Sequence, residues 1–157
     1  MAVKVSQQHD HAVMTDNVKL ISMIFLSISL FFILLFFGCY SAFMSDDGFD
    51  RIGSRYEHFL IFIVTMTTLT LAIICMEFYH IRHRALAMFK YGVIVANAVM
   101  IGFLIHELGN GYDDIFGGAG LATNSTIYTY SGLAVGFAGV GTLLAILHNF
   151  HGIAGLV

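Results

Sequence analysis

Four long apolar segments, separated by short polar connections, dominate this chain of 157 residues. They run over Leu20–Met44, Phe59–Met76, Ala85–Ile105 and Ile127–Leu147, and Lys90 is the one charged residue that interrupts them. A bilayer core about 30 Å thick requires ~20 apolar residues at a helical rise of 1.5 Å per residue. The pattern therefore predicts an all-α membrane protein built as a four-transmembrane-helix bundle.

The polar residues between these segments set the expected boundaries. The predicted helices cover residues 18–44, 57–83, 85–108 and 126–150, and the two loops on the far side cover residues 45–56 and 109–125. Because these helices use most of the chain, no room remains for a second folding unit. Residues 1–157 are expected to form a single membrane domain.

Composition agrees with a membrane location and excludes several classes of function. Charged residues make up 11% of the chain, whereas a soluble domain carries roughly 25%. The formal net charge of −3 and the scattered cations exclude a nucleic-acid partner. Proline is absent, so no broken helix of the transporter type is expected, and the absence of an ionisable group at mid-span argues against a stand-alone pump or carrier.

The distribution of cations predicts how the bundle is oriented in the membrane. An even number of helices places both termini on the side that also holds the connection between the second and third helices. The cations predicted on that side are Lys4, Lys19, Arg82, Arg84 and Lys90. The opposite side has only two, Arg51 and Arg55. Since Lys and Arg are retained in the cytoplasm during insertion, we expect an N-in, C-in topology.

Small residues along the third and fourth predicted helices suggest which helices pack together. Gly132 and Gly136 form a small-xxx-small pair in the fourth helix, and the third carries similar pairs. These two helices are expected to form the tightly packed pair, while the phenylalanine-rich first helix faces lipid or a large partner. The side-chain amide of Asn97 lies near the middle of the third helix and needs a hydrogen-bond partner there. Thr67 or Thr68 of the second helix is expected to supply it.

Histidines provide the candidate chemistry, because six of the eight lie at the ends of the predicted helices. Glu77-x-x-His80 and His148-x-x-His151 each place two ligand-type side chains on one helical face. If the second and fourth helices are neighbours, these groups converge. His80, His83, His148 and His151 are then candidate ligands of a b-type haem, while Glu77, His80, His148 and His151 are candidate ligands of a transition metal.

The ordinary interpretation of these histidines is different. Histidine is amphipathic and is tolerated at the level of the lipid headgroups, where it contacts the interface or another subunit. The same applies to the pairs predicted on the opposite side, Glu57 with His58 and His106 with Glu107. Contact with a quinone headgroup is a further alternative for the cluster near His148.

The function expected from these features is that of a small structural or accessory subunit of a larger membrane complex, respiratory or otherwise energy-converting. No nucleophile–base pair or phosphate loop is visible, so no independent catalytic activity is expected. The expected partners are the lipid bilayer and other membrane subunits, without a soluble substrate. The expected location is a bacterial inner membrane or an energy-converting organelle membrane. Two alternatives remain: an electron-transport bundle that itself binds haem b or a metal, and a homo-oligomeric channel or assembly protein.

Overall fold

The computed structural model describes the backbone of residues 2–45, 55–79, 83–110, 115 and 122–154. It contains four long helices: α1 (Ala2–Ser45), α2 (Tyr56–Phe78), α3 (Arg84–Gly109) and α4 (Ala122–Ala154). No strand occurs in these ranges. Side chains are described within residues 14–41, 55–79, 83–110, 115 and 125–150, so most of the two predicted loops lies outside this part of the chain.

Each helix carries a segment long and apolar enough to cross a bilayer. The segments are Met14–Ser41, Tyr56–Phe78, Arg84–Gly109 and Ser125–Phe150. A helix is favoured in lipid because it satisfies all of its backbone hydrogen bonds within one segment. The structure thus confirms the prediction of an all-α protein with four membrane-spanning helices.

The helix boundaries differ from the prediction by four residues or more in α1, α2 and α4, and α4 extends four residues beyond the predicted range 126–150 at each end. α1 begins at Ala2 rather than near residue 18, so the polar N-terminal residues continue the first membrane helix. α2 ends at Phe78, five residues before the expected boundary, because the backbone of Tyr79 is extended (φ −90°, ψ 128°). His83 is extended as well (φ −93°, ψ 131°) and immediately precedes α3.

Apolar side chains line both the interior and the exterior of the bundle, as expected for helices surrounded by lipid. Leu26 and Phe36 of α1 and Phe59 of α2 are completely buried. Leu34 of α1 and Leu143 of α4 face outward, with 71% and 62% of their surface exposed. Because outward-facing apolar side chains of this size cover the membrane segments, lipid contacts the described surface.

The largest helix interface joins α1 to α4. The hydroxyl of Ser22 donates to the Gly141 carbonyl oxygen at 2.7 Å, and the hydroxyl of Ser29 donates to the Ala134 carbonyl oxygen at 2.7 Å. A Cβ atom at Gly141 would lie 2.8 Å from two side-chain carbons of Leu26, so the backbones approach closely here because the residue is glycine. The expectation that the third and fourth helices form the tightest pair is therefore wrong.

Two of the glycines that motivated that expectation do not serve packing inside the bundle. A Cβ atom at Gly132 or Gly136 would meet nothing within 4 Å among the described residues. Ala134 and Ala138 of the same helix are buried instead. Sequence spacing identified small residues but not the helical face that the bundle uses.

The close approach at Gly141 predicts a difference between two glycine-to-alanine variants. Gly141→Ala should lower the free energy of unfolding by about 1–3 kcal/mol, because the added methyl group overpacks the contact with Leu26. Gly136→Ala should leave stability unchanged or raise it by up to ~1 kcal/mol through higher helix propensity. Circular dichroism during SDS titration of the detergent-solubilised protein measures both. Equal effects of the two variants would contradict the close α1–α4 contact.

Candidate functional site

A cluster of charged and polar side chains from all four helices lies at one end of the bundle. We call it the terminal-face cluster, and it contains Lys19 (α1), Glu77 (α2), Lys90 (α3), and His148 and Asn149 (α4). This end is formed by the end of α2, the beginning of α3 and the last turns of the membrane segment of α4.

Glu77 is the centre of the terminal-face cluster. Its residue surface is only 4% exposed. The Lys90 ammonium lies 2.8 Å from Glu77 Oε1, and Asn149 Nδ2 donates to the same oxygen at 3.1 Å. The carboxylate therefore links α2 to α3 by an ion pair and to α4 by a hydrogen bond.

Helical periodicity places these two charges opposite each other. In α2, Glu77 continues the buried stripe of Thr70 and Ile73 at spacings of seven and four residues. In α3, Lys90 begins the buried stripe that continues through Ile94 and Asn97. Since residues at spacings of three and four share a helical face, both charged side chains point into the bundle.

Lys19 is held less closely than Lys90. Its ammonium lies 3.8 Å from Glu77 Oε2, which is too long for a hydrogen bond. Glu77 Oε2 has no hydrogen-bond donor among the described residues. The Lys19 side chain is 35% exposed, compared with 10% for Lys90. Two ammonium groups thus share the Glu77 carboxylate, Lys90 at the shorter distance and Lys19 at the longer one.

Of the residues predicted as haem or metal ligands, the structure brings Glu77 and His148 together. His148 is half-buried beside the charges of the cluster and the backbone of Thr15, and its Nδ1 atom has no hydrogen-bond partner in the described part of the chain. His83 is exposed ahead of α3. His80 lies outside the described residues, as does the side chain of His151.

The described residues contain no group of three His, Cys, Asp or Glu side chains that could hold a metal ion. One oxygen of Glu77 is already engaged by Lys90 and Asn149. A metal or haem site at the four predicted histidines therefore stays a prediction that involves His80 and His151.

A second polar contact lies deeper in the bundle. Asn97 is completely buried, and its Nδ2 donates to Thr70 Oγ1 at 3.2 Å and to Thr142 Oγ1 at 3.0 Å. The predicted interhelical role of Asn97 is confirmed, but the predicted partners are wrong. Thr67 and Thr68 donate to carbonyl oxygens of their own helix instead. Asn97 consequently links α2, α3 and α4.

The opposite end of the bundle has a weaker ion pair. Arg55 Nη1 lies 3.4 Å from Glu107 Oε2, and 39% of the Arg55 side chain is exposed. Of the two pairs that the sequence predicts at this end, Glu57, His58 and His106 are exposed, whereas Glu107 is buried and contacts Arg55. The structure shows no convergence of these described side chains on a site.

Sequence reasoning did not identify Lys19 and Asn149 as members of the terminal-face cluster. It treated Lys90 as an interruption of an apolar segment and as one of the cations on the side of the termini, but not as a partner of Glu77. A usable signal existed, because Lys90 and Asn97 lie seven residues apart and therefore share one face of α3. Asn149 gave no comparable signal, since it lies 72 positions from Glu77.

Comparison with known proteins does not assign this chain to a family. No family model matches it, and no curated protein or solved structure matches it either. Inference about function therefore depends on the chemistry of the chain's own side chains.

The burial of Glu77 predicts a large effect when its partner is removed. Lys90→Met should lower the free energy of unfolding by about 3 kcal/mol, near the lower end for a broken buried pair because Lys19 can move toward Glu77 Oε2. The double variant Glu77→Leu/Lys90→Leu should recover most of this loss, because it leaves no buried unpaired charge, and Lys19, which then lacks its partner, is 35% exposed. SDS titration followed by circular dichroism gives both values.

Arg55→Gln is the matched control for the loss of an ion pair. Its partner contact is longer and more exposed, so the variant should cost at most ~1 kcal/mol. A Lys90→Met variant as stable as Arg55→Gln would show that the terminal-face cluster does not hold the helices together.

The hydrogen bonds of Asn97 predict a smaller and separate effect. Asn97→Leu, which is close in size, should cost about 1 kcal/mol, because Thr70 and Thr142 lose their interhelical partner but can bond to their own helices. Thr68→Ala is the control, because its hydroxyl already bonds within α2. The same SDS titration measures both, and a larger loss for Thr68→Ala would refute the interhelical role of Asn97.

Proposed function

We propose that this protein is a small structural or accessory subunit of a larger membrane complex, and that the complex is respiratory or otherwise energy-converting. The observation that supports the proposal is that the buried polar groups connect helices to one another. Glu77 and Asn97 each link three helices, and the groups that they contact lie in neighbouring helices. Such contacts suit a rigid membrane body that other subunits pack against.

The same contacts argue against a transport path through the described part of the bundle. A path for ions or polar solutes is lined by charged side chains or by backbone carbonyls along a cavity. Here the Glu77 carboxylate is paired with Lys90, and the Asn97 amide nitrogen is used by two threonines. Because these polar groups hold helices together, they support an accessory role better than a channel role.

The surface of the bundle supports a partner within the membrane. Phe31, Leu34, Leu143 and Leu147 are each more than half exposed, so large apolar side chains are available on α1 and α4. Lipid covers such residues in an isolated bundle, and helices of other subunits would replace that lipid in a complex.

The histidines near the terminal-face cluster support an energy-converting host. His83 is exposed and can contact a neighbouring subunit or its redox group, whereas His148 at the same end is half-buried and its Nδ1 atom is buried inside the bundle. We place this end in the cytoplasm, in accordance with the N-in, C-in distribution of cations. A bacterial inner membrane or an energy-converting organelle membrane is the proposed location.

Isolation from native membranes tests the proposal. We expect a tagged protein, extracted in a mild detergent, to migrate on a native gel in an assembly with other integral membrane subunits. Mass spectrometry should identify those subunits, and a visible spectrum of the assembly should show redox groups. Migration only as a monomer or as a homo-oligomer would refute the accessory role.

Two variants connect this experiment to the structure. Lys90→Met, which loosens the bundle, should reduce the yield of the assembly severalfold, whereas Arg55→Gln should not. A Soret band that remains with the purified subunit and disappears in His148→Ala would instead favour a bundle that binds haem itself.

A further inference from the structure

Large aromatic side chains are exposed where α2 ends and α3 begins. Phe78 and Tyr79 at the end of α2 are each 75% exposed, and Phe89 in the second turn of α3 is 64% exposed. The 2.8 Å contact between Glu77 and Lys90 places these two helix ends side by side. Because Glu77 and Lys90 point into the bundle, and adjacent helical residues are about 100° apart, their sequence neighbours Phe78 and Phe89 face outward.

An unpaired cation lies at the same end. Arg84 is the first residue of α3 and is exposed, and it forms no ion pair with any described side chain. In the sequence no acidic residue occurs between Glu77 and Glu107, and Glu77 is buried against Lys90. The exposed surface here is therefore aromatic and positively charged. We call it the basic aromatic patch, and it consists of Phe78, Tyr79, Arg84 and Phe89.

The acidic side chain of Asp16, which is exposed at the same end of the bundle, does not neutralise Arg84. Asp16 belongs to α1, whose largest interface is with α4, whereas α3 packs on α2 and α4. Within the described residues no ion pair joins the two side chains. The positive charge of Arg84 is consequently presented at the surface.

The basic aromatic patch lies at the depth of the lipid headgroups and the adjoining acyl chains. Arg84 begins the membrane segment of α3, and Phe78 ends that of α2. Phe89 lies about 8 Å further along α3, within one leaflet of the hydrocarbon core, which is about 15 Å thick. At this depth a guanidinium reaches the phosphate groups, and aromatic rings contact the upper acyl chains.

We propose that the basic aromatic patch binds an anionic phospholipid, with the phosphate group at Arg84 and the acyl chains against Phe78 and Phe89. Charge complementarity selects this occupant, because a guanidinium without an acidic partner forms charge-assisted hydrogen bonds with phosphate oxygens. A zwitterionic lipid carries a cationic group beside the same phosphate and so has no net charge to balance Arg84. The site is independent of the proposed role in a larger complex.

A single tryptophan can report the lipid next to the patch, because the chain contains no tryptophan. The full chain with Phe89→Trp is reconstituted in mixtures of phosphatidylglycerol and phosphatidylcholine with matched acyl chains, and one lipid carries bromine atoms that quench tryptophan fluorescence. The quenching should show phosphatidylglycerol enriched roughly fivefold at this position, the effect of one arginine at an anionic surface.

Leu143→Trp is the matched control for position. Leu143 is 62% exposed on α4, at a comparable depth from the same end of the bundle. This variant should show no such enrichment, because its surroundings lack an exposed cation of the patch. Equal enrichment at both positions, or none at Phe89→Trp, would refute a site at the patch.

Variants of the cation, made in the Phe89→Trp protein, separate a site from diffuse attraction. Arg84→Gln should remove the enrichment, and Arg84→Lys should keep most of it, which separates loss of charge from disturbance of the fold. Arg55→Gln removes an arginine that is paired with Glu107 at the opposite end and should leave the enrichment unchanged. Enrichment that survives in Arg84→Gln, or that falls equally in Arg55→Gln, would overturn the assignment of the phosphate to Arg84.

Discussion

The buried contact between Glu77 and Lys90 is the interaction on which the arrangement of the bundle depends. A carboxylate that is only 4% exposed is strongly unfavourable unless a cation and a hydrogen-bond donor accompany it. Lys90 and Asn149 supply these two groups at 2.8 and 3.1 Å. Lys90 and Asn149 belong to different helices. Compensation of the buried Glu77 carboxylate therefore holds the end of α2 against the beginning of α3 and the last turns of α4.

The same logic explains the packing at other depths. In lipid, apolar surface alone does not drive helices together, so close backbone contact and hydrogen bonds decide which helices pair. Asn97 provides such bonds at the middle of the bundle. Ser22 and Gly141 provide them between α1 and α4, where the glycine allows the serine hydroxyl to reach a backbone carbonyl. These contacts give a body that holds its shape while its surface remains apolar.

Our inference about function starts from the role of these interior contacts and from the polar side chains that take no part in them. The interior polar groups of the described residues serve mainly to connect helices, and the supporting role that we propose rests on this use. His83 is exposed at the end of the bundle that holds Glu77 and Lys90. This side chain is therefore accessible from outside the bundle.

The sequence by itself determined the four membrane helices, because a long apolar segment in lipid must satisfy its backbone within a helix. It also identified Asn97 and the polar end that holds Glu77 and His148, since both stand out in an apolar context. Only the tertiary structure decided that Lys90 and Asn149 contact Glu77, and that α1 packs on α4. Those outcomes depend on which helical faces meet, and small residues occur on more than one face of the same helix.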